Sequence, residues 1–560
     1  MVGEPIRIAI NHTIHGNPLL LDSLRYELST GERYSLTRLS YLISGLSFET
    51  ETGDWIEAEG DIGYIDLKKR LLNFECELPK NSYRAVRFDV GLDATTNHGN
   101  PATYPPKHPL NPDFNQLHWT WSDGYIFMAL EGRFYDEEQR LSGFVYHYAN
   151  DANRVTVNLP IQLDHMHQSL VELNLDVGQL LQFPSQISFR KDGQSTHSHQ
   201  GDVISEKLKG NLPGVFRVAG IGQTTLLAKP APPPPIDMPA EFTAYPFTIG
   251  SNFPRPDLPL DNPLIEERIR LGEALFFDPR LSKDRSISCA SCHEPSQAFS
   301  DDQPQSIGVS GNPTRRHSMP LFNLAWKDAF FWDGRVQSLR EQIFHPIEHP
   351  DEMGFSDDEL LVRLQEDPTI LTLFAQAFSP GTITREHISL ALENYLLTLV
   401  SYDSKFDAAM LGKAVLTDSE KRGFELFMTE YEPRSRRFGA DCFHCHGGAL
   451  FTDNQFHNNG LLPGTDTGRS EFTGLPSDDF KFSTPSLRNV TLTAPYMHDA
   501  SLDTLEAVIE HYDNSIHYSA TLDPNLLKHP RDGIQLSSED KQALVDFLMA
   551  LSDPKFSEID

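Results

Sequence analysis

Two five-residue strings constrain this chain more than anything else in it: Cys289-Ala290-Ser291-Cys292-His293 and Cys442-Phe443-His444-Cys445-His446. A CxxCH string sets two thiols and an imidazole within about one turn of chain. The thiols add to the vinyl groups of a haem and the adjacent histidine supplies an iron ligand. The competing use is half of a zinc site, which needs further Cys or His ligands at short spacing. Four of the five cysteines lie in the two strings. Two covalent c-type haems are therefore the expected cofactors, one on Cys289, Cys292 and His293, the other on Cys442, Cys445 and His446. Cys76 is left without a partner, so a disulfide framework is not expected.

The 560 residues suffice for roughly two to four domains. Formal net charge is −32, which argues against nucleic acid or an acidic lipid surface as partner. No run of about 18 apolar residues predicts a membrane span. The opening MVGEPIRIAINH lacks the charged and apolar regions of a signal peptide. Haem attachment to CxxCH belongs outside the bacterial cytoplasm, so the expectation is a periplasmic, mature chain from which a leader has been removed.

The proline run in Lys229–Pro239 divides the chain, because consecutive prolines favour an extended, semi-rigid segment. Before it, short alternating runs predict strands at 125–130, 155–159 and 170–175, punctuated by Gly, Asn and Asp. After it the period becomes helical, with Ile388, Leu390, Ala391, Leu392, Tyr395, Leu396 and Leu399 in one amphipathic stretch. Thr417 and Glu420 form a capping-box pattern, and Ser537 precedes another helical run. The expected organisation is multidomain. A mainly antiparallel β domain (1–228) is followed by a linker (229–262) and an all-α region of two haem modules (263–412 and 413–560).

The text FFWDGRVQSLREQIFHPIEHPDEMGF, DTGR and STPSLRNVTLTAPYMHDASLDTLEAVIEHYD, in order over about 262–552, resembles the bacterial dihaem cytochrome c peroxidases and MauG. That resemblance implies one haem open to hydrogen peroxide and a second, six-coordinate haem. Peroxidases carry Met fourteen residues after the His of the APYxH string, here His498; this chain has Tyr512 there, as MauG-type enzymes do. A phenolate is a hard anionic donor that stabilises oxidised, high-valent iron and lowers its potential relative to a thioether. Without the family spacing, Tyr512 reads as a core tyrosine on a helix face. Glu352, twenty residues after Trp332, matches the family's distal carboxylate, which shuttles a peroxide proton; Trp332 matches the tryptophan between the haems. The family also holds calcium, on carbonyls matched by Thr493 and Pro495. An Asn commonly adds a side-chain oxygen near the position of His317, and imidazole is a poor ligand for a hard cation, leaving Asn312 or a water to substitute.

The first half resembles MbnP, through LTRLSYLISGLSFET, HWTWSDGYIFMALEGRF and GFVYHYAN. In that family a tryptophan is oxidised to kynurenine by a MauG relative, MbnH, and copper binds beside it. The resemblance implies a fusion of modifying enzyme and protein substrate, the chain's own β domain being the target. Of the five tryptophans, Trp55, Trp119 and Trp121 precede the linker and none follows Trp332. Trp119 and Trp121 share a strand face; Trp121 is the first candidate for modification and Trp119 the second. Among ten early histidines, His118, His147 and His12 are candidate copper ligands, with His15 behind them. Two other functions stay open: a conventional peroxidase fed by a small cytochrome, and a copper-binding protein with passive electron-transfer haems.

Overall fold

The computed structural model describes residues 3–119, 124–225 and 232–557, so Trp121 lies outside the described residues. The chain forms two compact units. The first comprises 1–230 with 432–436 and 518–530, the second the remainder.

The first unit is a β structure of a five-stranded and a nine-stranded sheet. The three predicted strands are present, longer than expected, at Ile126–Tyr135, Val155–Asp164 and Leu170–Asp176. Most pairings are antiparallel, including the long Arg33–Thr50 strand against Ser82–Val90 and Ile126–Tyr135. Two pairings among the described residues are parallel: Glu4–Ile14 with Leu170–Asp176, and Leu141–Ala149 with Ser195–Thr196. Val155–Asp164 alternates buried and exposed residues, as a sheet with one solvated face requires. Ile126–Tyr135 and Leu141–Ala149 are buried almost throughout, because 518–530 belongs to this unit and packs on them. Arg133 donates from Nε to the Leu522 carbonyl at 3.1 Å. At Gly143 any Cβ would stand 2.0 Å from the Pro524 carbonyl oxygen, so only glycine fits. Cys76 is buried and unbridged, and burial pushes its thiol up to about 12.

The second unit is helical, as expected, apart from short ribbons such as Phe456–His457 against Phe482–Ser483. The predicted helices are Arg385–Leu397, Asp418–Met428 with its Thr417/Glu420 capping box, and Ser538–Met549 capped by Ser537. Helix Glu266–Phe276 crosses Arg385–Leu397 at Gly272, where a Cβ would meet the Ala391 carbonyl oxygen at 2.0 Å. Asp418–Met428 crosses Ser538–Met549 in the same way at Gly423, 1.9 Å from the Ala543 oxygen. In each pair the first helix precedes a CxxCH string and the second follows it, so both strings are bracketed by the same kind of helix crossing. The later part of the linker is anchored rather than loose: fully buried Arg268 donates to the carbonyls of Ile236 and Asp237 at 2.6 and 3.0 Å. Among the described residues no helix is long and apolar enough to cross a membrane.

Candidate active site

Both CxxCH strings form single tight turns, Cys289–Ser291 and Cys442–His444. The His293 N–H donates to the Cys289 carbonyl at 3.0 Å and that of His446 to the Cys442 carbonyl at 2.9 Å. Each imidazole is then aimed from behind. His293 Nδ1 donates to the Phe299 carbonyl at 3.0 Å, and His446 Nδ1 to the Phe451 carbonyl at 3.1 Å. A proton held on Nδ1 leaves Nε2 as the lone-pair nitrogen, the arrangement iron ligation needs. Burial lowers both imidazole pKa values, His446 to about 4, which favours the neutral ring that an iron ligand requires. The thiols of Cys289 and Cys442 are pushed up to about 12 by burial. Among the described residues no metal-sized group joins two cysteines. The residues present therefore fit covalent haem and not zinc.

Glu352 lies beside the first string. The Cys292 thiol is pushed up to about 11, by burial first and then, among nearby acids, by Asp301 and Glu352. The Glu352 carboxyl is itself raised by desolvation, against the opposing charges of His349 and Arg335. Its loop is braced by a feature the sequence reading missed. Gly308 packs where a Cβ would stand 1.9 Å from the Asp351 carbonyl oxygen, and Val309 N donates to the Glu352 carbonyl at 2.8 Å. Ser310 and Asn312 donate to Asp351 Oδ1 at 3.1 and 2.9 Å, so Asn312 is engaged in holding this loop.

Trp332 is buried. Its indole N–H donates to the His317 carbonyl at 2.8 Å, and its own carbonyl accepts from Ser483 N at 2.7 Å. It is thus tied to the first module through His317 and to the second through Ser483. Next to it, Arg316 pairs with Asp333 at 2.6 Å and with Asp466 of the DTGR string at 2.7 Å. His317 Nδ1 donates to the Gln303 carbonyl at 3.1 Å, and Nε2 faces Ser300 Oγ at 3.4 Å. The carbonyls of Thr493 and Pro495 accept no hydrogen bond among the described residues.

Tyr512 lies on helix Leu505–Asn514, with its hydroxyl 3.4 Å from Asn459 Nδ2. Asn459 lines a cleft of about 210 Å³, together with Asn458, Phe482 and His498. The His498 ring stacks on Phe482, centroids 3.6 Å apart. Lys327, also missed, is desolvated so that its pKa falls to about 8. It lines a smaller cavity with Trp326, Leu450 and Thr452.

Residues 266–415 match the model of the di-haem cytochrome c peroxidase family. The chain is 42% identical over 271 residues to the methylamine utilization protein MauG of Methylorubrum extorquens, covering 47% of this chain and 74% of that protein. This chain belongs to the dihaem cytochrome c peroxidase/MauG family. Cytochrome c551 peroxidase of Pseudomonas aeruginosa is 32% identical over 52% of this chain and 80% of that protein. A crystal structure of a MauG-like protein associated with microbial copper homeostasis superposes with a TM-score of 0.50 at 33% identity, over 56% of this chain and 99% of that one. Residues 3–199 match the MbnP family model. The chain is a dihaem oxidoreductase of the peroxide-using class carrying an MbnP domain.

Inside the MbnP domain, Trp119 packs against two histidines. Ring centroids lie 5.3 Å from His197 and 6.4 Å from His147, and those two rings are 5.2 Å apart and edge-on. The indole Nε1 is buried and has no hydrogen-bond partner among the described residues. His147 Nε2 bonds Glu131 at 3.0 Å, and Glu131 pairs with Arg38 at 3.0 Å. Desolvation would raise the Glu131 carboxyl, but Arg38 and His147 outweigh it and bring it to about 2.

His147 is the one member of the expected copper trio at this cluster. His12 bonds Tyr41 Oη at 2.9 Å in the core, and His118 packs edge-on against Tyr125. Burial lowers each of these two to about 4. Among the described residues, His12 and His118 share no metal-sized group with His147, so the structure does not bring the trio together. The physical reason is local packing: His118, in an isolated bridge with Tyr125, lies against that ring, while Trp119 packs on His147 and His197. His15 sits in an exposed turn with φ of 52°. His197, in the string THSH, was not singled out, because a polar run reads as loop.

Proposed function

We propose that this enzyme uses hydrogen peroxide to oxidise Trp119 of its own MbnP domain to kynurenine, creating a copper site with His147 and His197. The observation that carries the reading is the cluster of partly buried Trp119 with buried His147 and His197 in a chain that also bears a dihaem peroxidase. When bound, the haems supply the oxidising power drawn from peroxide. Glu352 accepts a proton from one peroxide oxygen and returns it to the other, which leaves as water. Trp332 would serve as the route for electrons between the two haems, and the Tyr512 oxygen would be among the groups that hold the second one. The net change balances with two peroxides. The indole C2–C3 bond breaks, each peroxide gives one oxygen atom and leaves as water, and hydrolysis releases C2 as formate.

Imidazoles and the new aniline nitrogen suit copper, and the link to a MauG-like protein of copper homeostasis points the same way. The carbonyls of Thr493 and Pro495 are the calcium donors in this reading, and the periplasm is the compartment.

The experiment is copper binding by the full chain before and after peroxide. Wild type gains one tightly held copper on peroxide treatment and Trp119→Phe gains none. An equal gain in Trp119→Phe would discard the proposal.

A further inference from the structure

The second CxxCH string carries an additional polar residue, His444, between its cysteines. Its surroundings are built to hold charge. After helix Asp418–Met428 the chain turns back on itself. Ala440 N donates to the Leu426 carbonyl at 2.9 Å, and Asp441 N to the Thr429 carbonyl at 3.2 Å. Gly439 N donates to the Glu430 carbonyl at 3.2 Å. The turn closes so tightly at Gly439 that a Cβ there would stand 1.8 Å from the Thr429 carbonyl oxygen. This fold-back sets the Glu430 carboxylate beside that of Asp441. The same turn brings His444 round, its N–H reaching back to the Asp441 carbonyl at 3.5 Å.

One ligand atom from each of Glu430, Asp441 and His444 lies within 4.8 Å of the others, with His444 Nε2 3.4 Å from Asp441 Oδ1. Glu430 and Asp441 are only 4% and 6% exposed, and the His444 side chain 1%. Two buried carboxylate oxygens and an imidazole nitrogen this close together offer a cation three converging ligands. The donor set decides which cation. An imidazole nitrogen with two carboxylate oxygens disfavours Ca²⁺ and Mg²⁺, which take oxygen alone, and Cu(I), which prefers sulfur. It suits a borderline divalent ion, with three protein ligands and a fourth position open.

We propose that Glu430, Asp441 and His444 bind a divalent transition cation of the Zn(II) or Cu(II) type, held against the attachment turn of the second haem. The site does not involve Trp119, and its test uses protein that has met no peroxide, so its failure is separable from that of tryptophan oxidation. A cation here raises the reduction potential of that haem, since added positive charge beside a haem favours the reduced state.

The test uses the full-length holoprotein, never exposed to peroxide, stripped with chelator, equilibrated with Zn(II) and dialysed. Zinc is counted against haem iron by elemental analysis. Wild type should retain one more zinc per two haem irons than either Glu430→Gln or His444→Gln. Zinc should also shift the second haem's midpoint upward in wild type alone. If His444→Gln attaches its haem poorly, Glu430→Gln and Asp441→Asn, which leave the CxxCH string untouched, carry the comparison. Equal zinc in wild type and variants, or no zinc in wild type, overturns the assignment.

Discussion

Replacing Glu352 by Gln preserves shape and hydrogen bonding while removing the ability to take and return a proton. A positioned acid–base group contributes ~10²–10⁴-fold to rate, equivalent to about 3–5 kcal/mol of barrier. The Glu352 side chain keeps 32% of its exposure, so water can partly substitute. The loss should therefore fall at the lower end, roughly 10²-fold in the turnover of peroxide. The pH profile supplies the second readout. The group acts first as a base, so its ionised form is required. Its pKa is raised by burial above the ordinary value of about 4.3. Wild-type activity should fall as pH drops through that raised value, and Glu352→Gln should lack this limb. Stopped-flow peroxide consumption measures both, with haem content as the control for folding. A variant that keeps the wild-type rate and the acid limb would refute the assignment of Glu352 as proton carrier.

Other consequences can be checked separately. Gly423→Ala drives a methyl into the Ala543 carbonyl oxygen, an overpacking expected to cost about 1–3 kcal/mol and visible as a lower Tm. Glu131 is held near 2 in the folded state by Arg38 and His147 against desolvation. A depressed carboxyl contributes stability above its unfolded pKa and loses it as pH falls towards the folded one. The MbnP unit should thus weaken between about pH 4.3 and 2, and Glu131→Gln should flatten that loss in acid unfolding monitored by far-UV circular dichroism. Tyr512→Phe should alter the spectrum of one haem only, leave both haems attached, and abolish tryptophan oxidation.

Much of the fold was legible because its signals are local. Alternation at 155–159 and the Thr417/Glu420 capping box each depend on neighbours a few residues apart, and both are realised. The haem attachment turns were legible for the same reason. What escaped depends on distant chain segments. His197 reaches Trp119 only because Ser195–Thr196 pairs in parallel with Leu141–Ala149, a pairing no local period announces. The glycines at 308 and 423 read as ordinary small residues until the opposing carbonyls of Asp351 and Ala543 are in place. Of the copper candidates, His147 meets Trp119 through ring packing, whereas His118, its neighbour along the chain, packs against Tyr125.

The most direct measurement is mass mapping of the peptide containing Trp119, from full-length holoprotein incubated with and without peroxide. The account predicts that peroxide converts this tryptophan to kynurenine and leaves Trp326 and Trp332 intact. An unmodified Trp119 in protein whose haems demonstrably consume peroxide would contradict it.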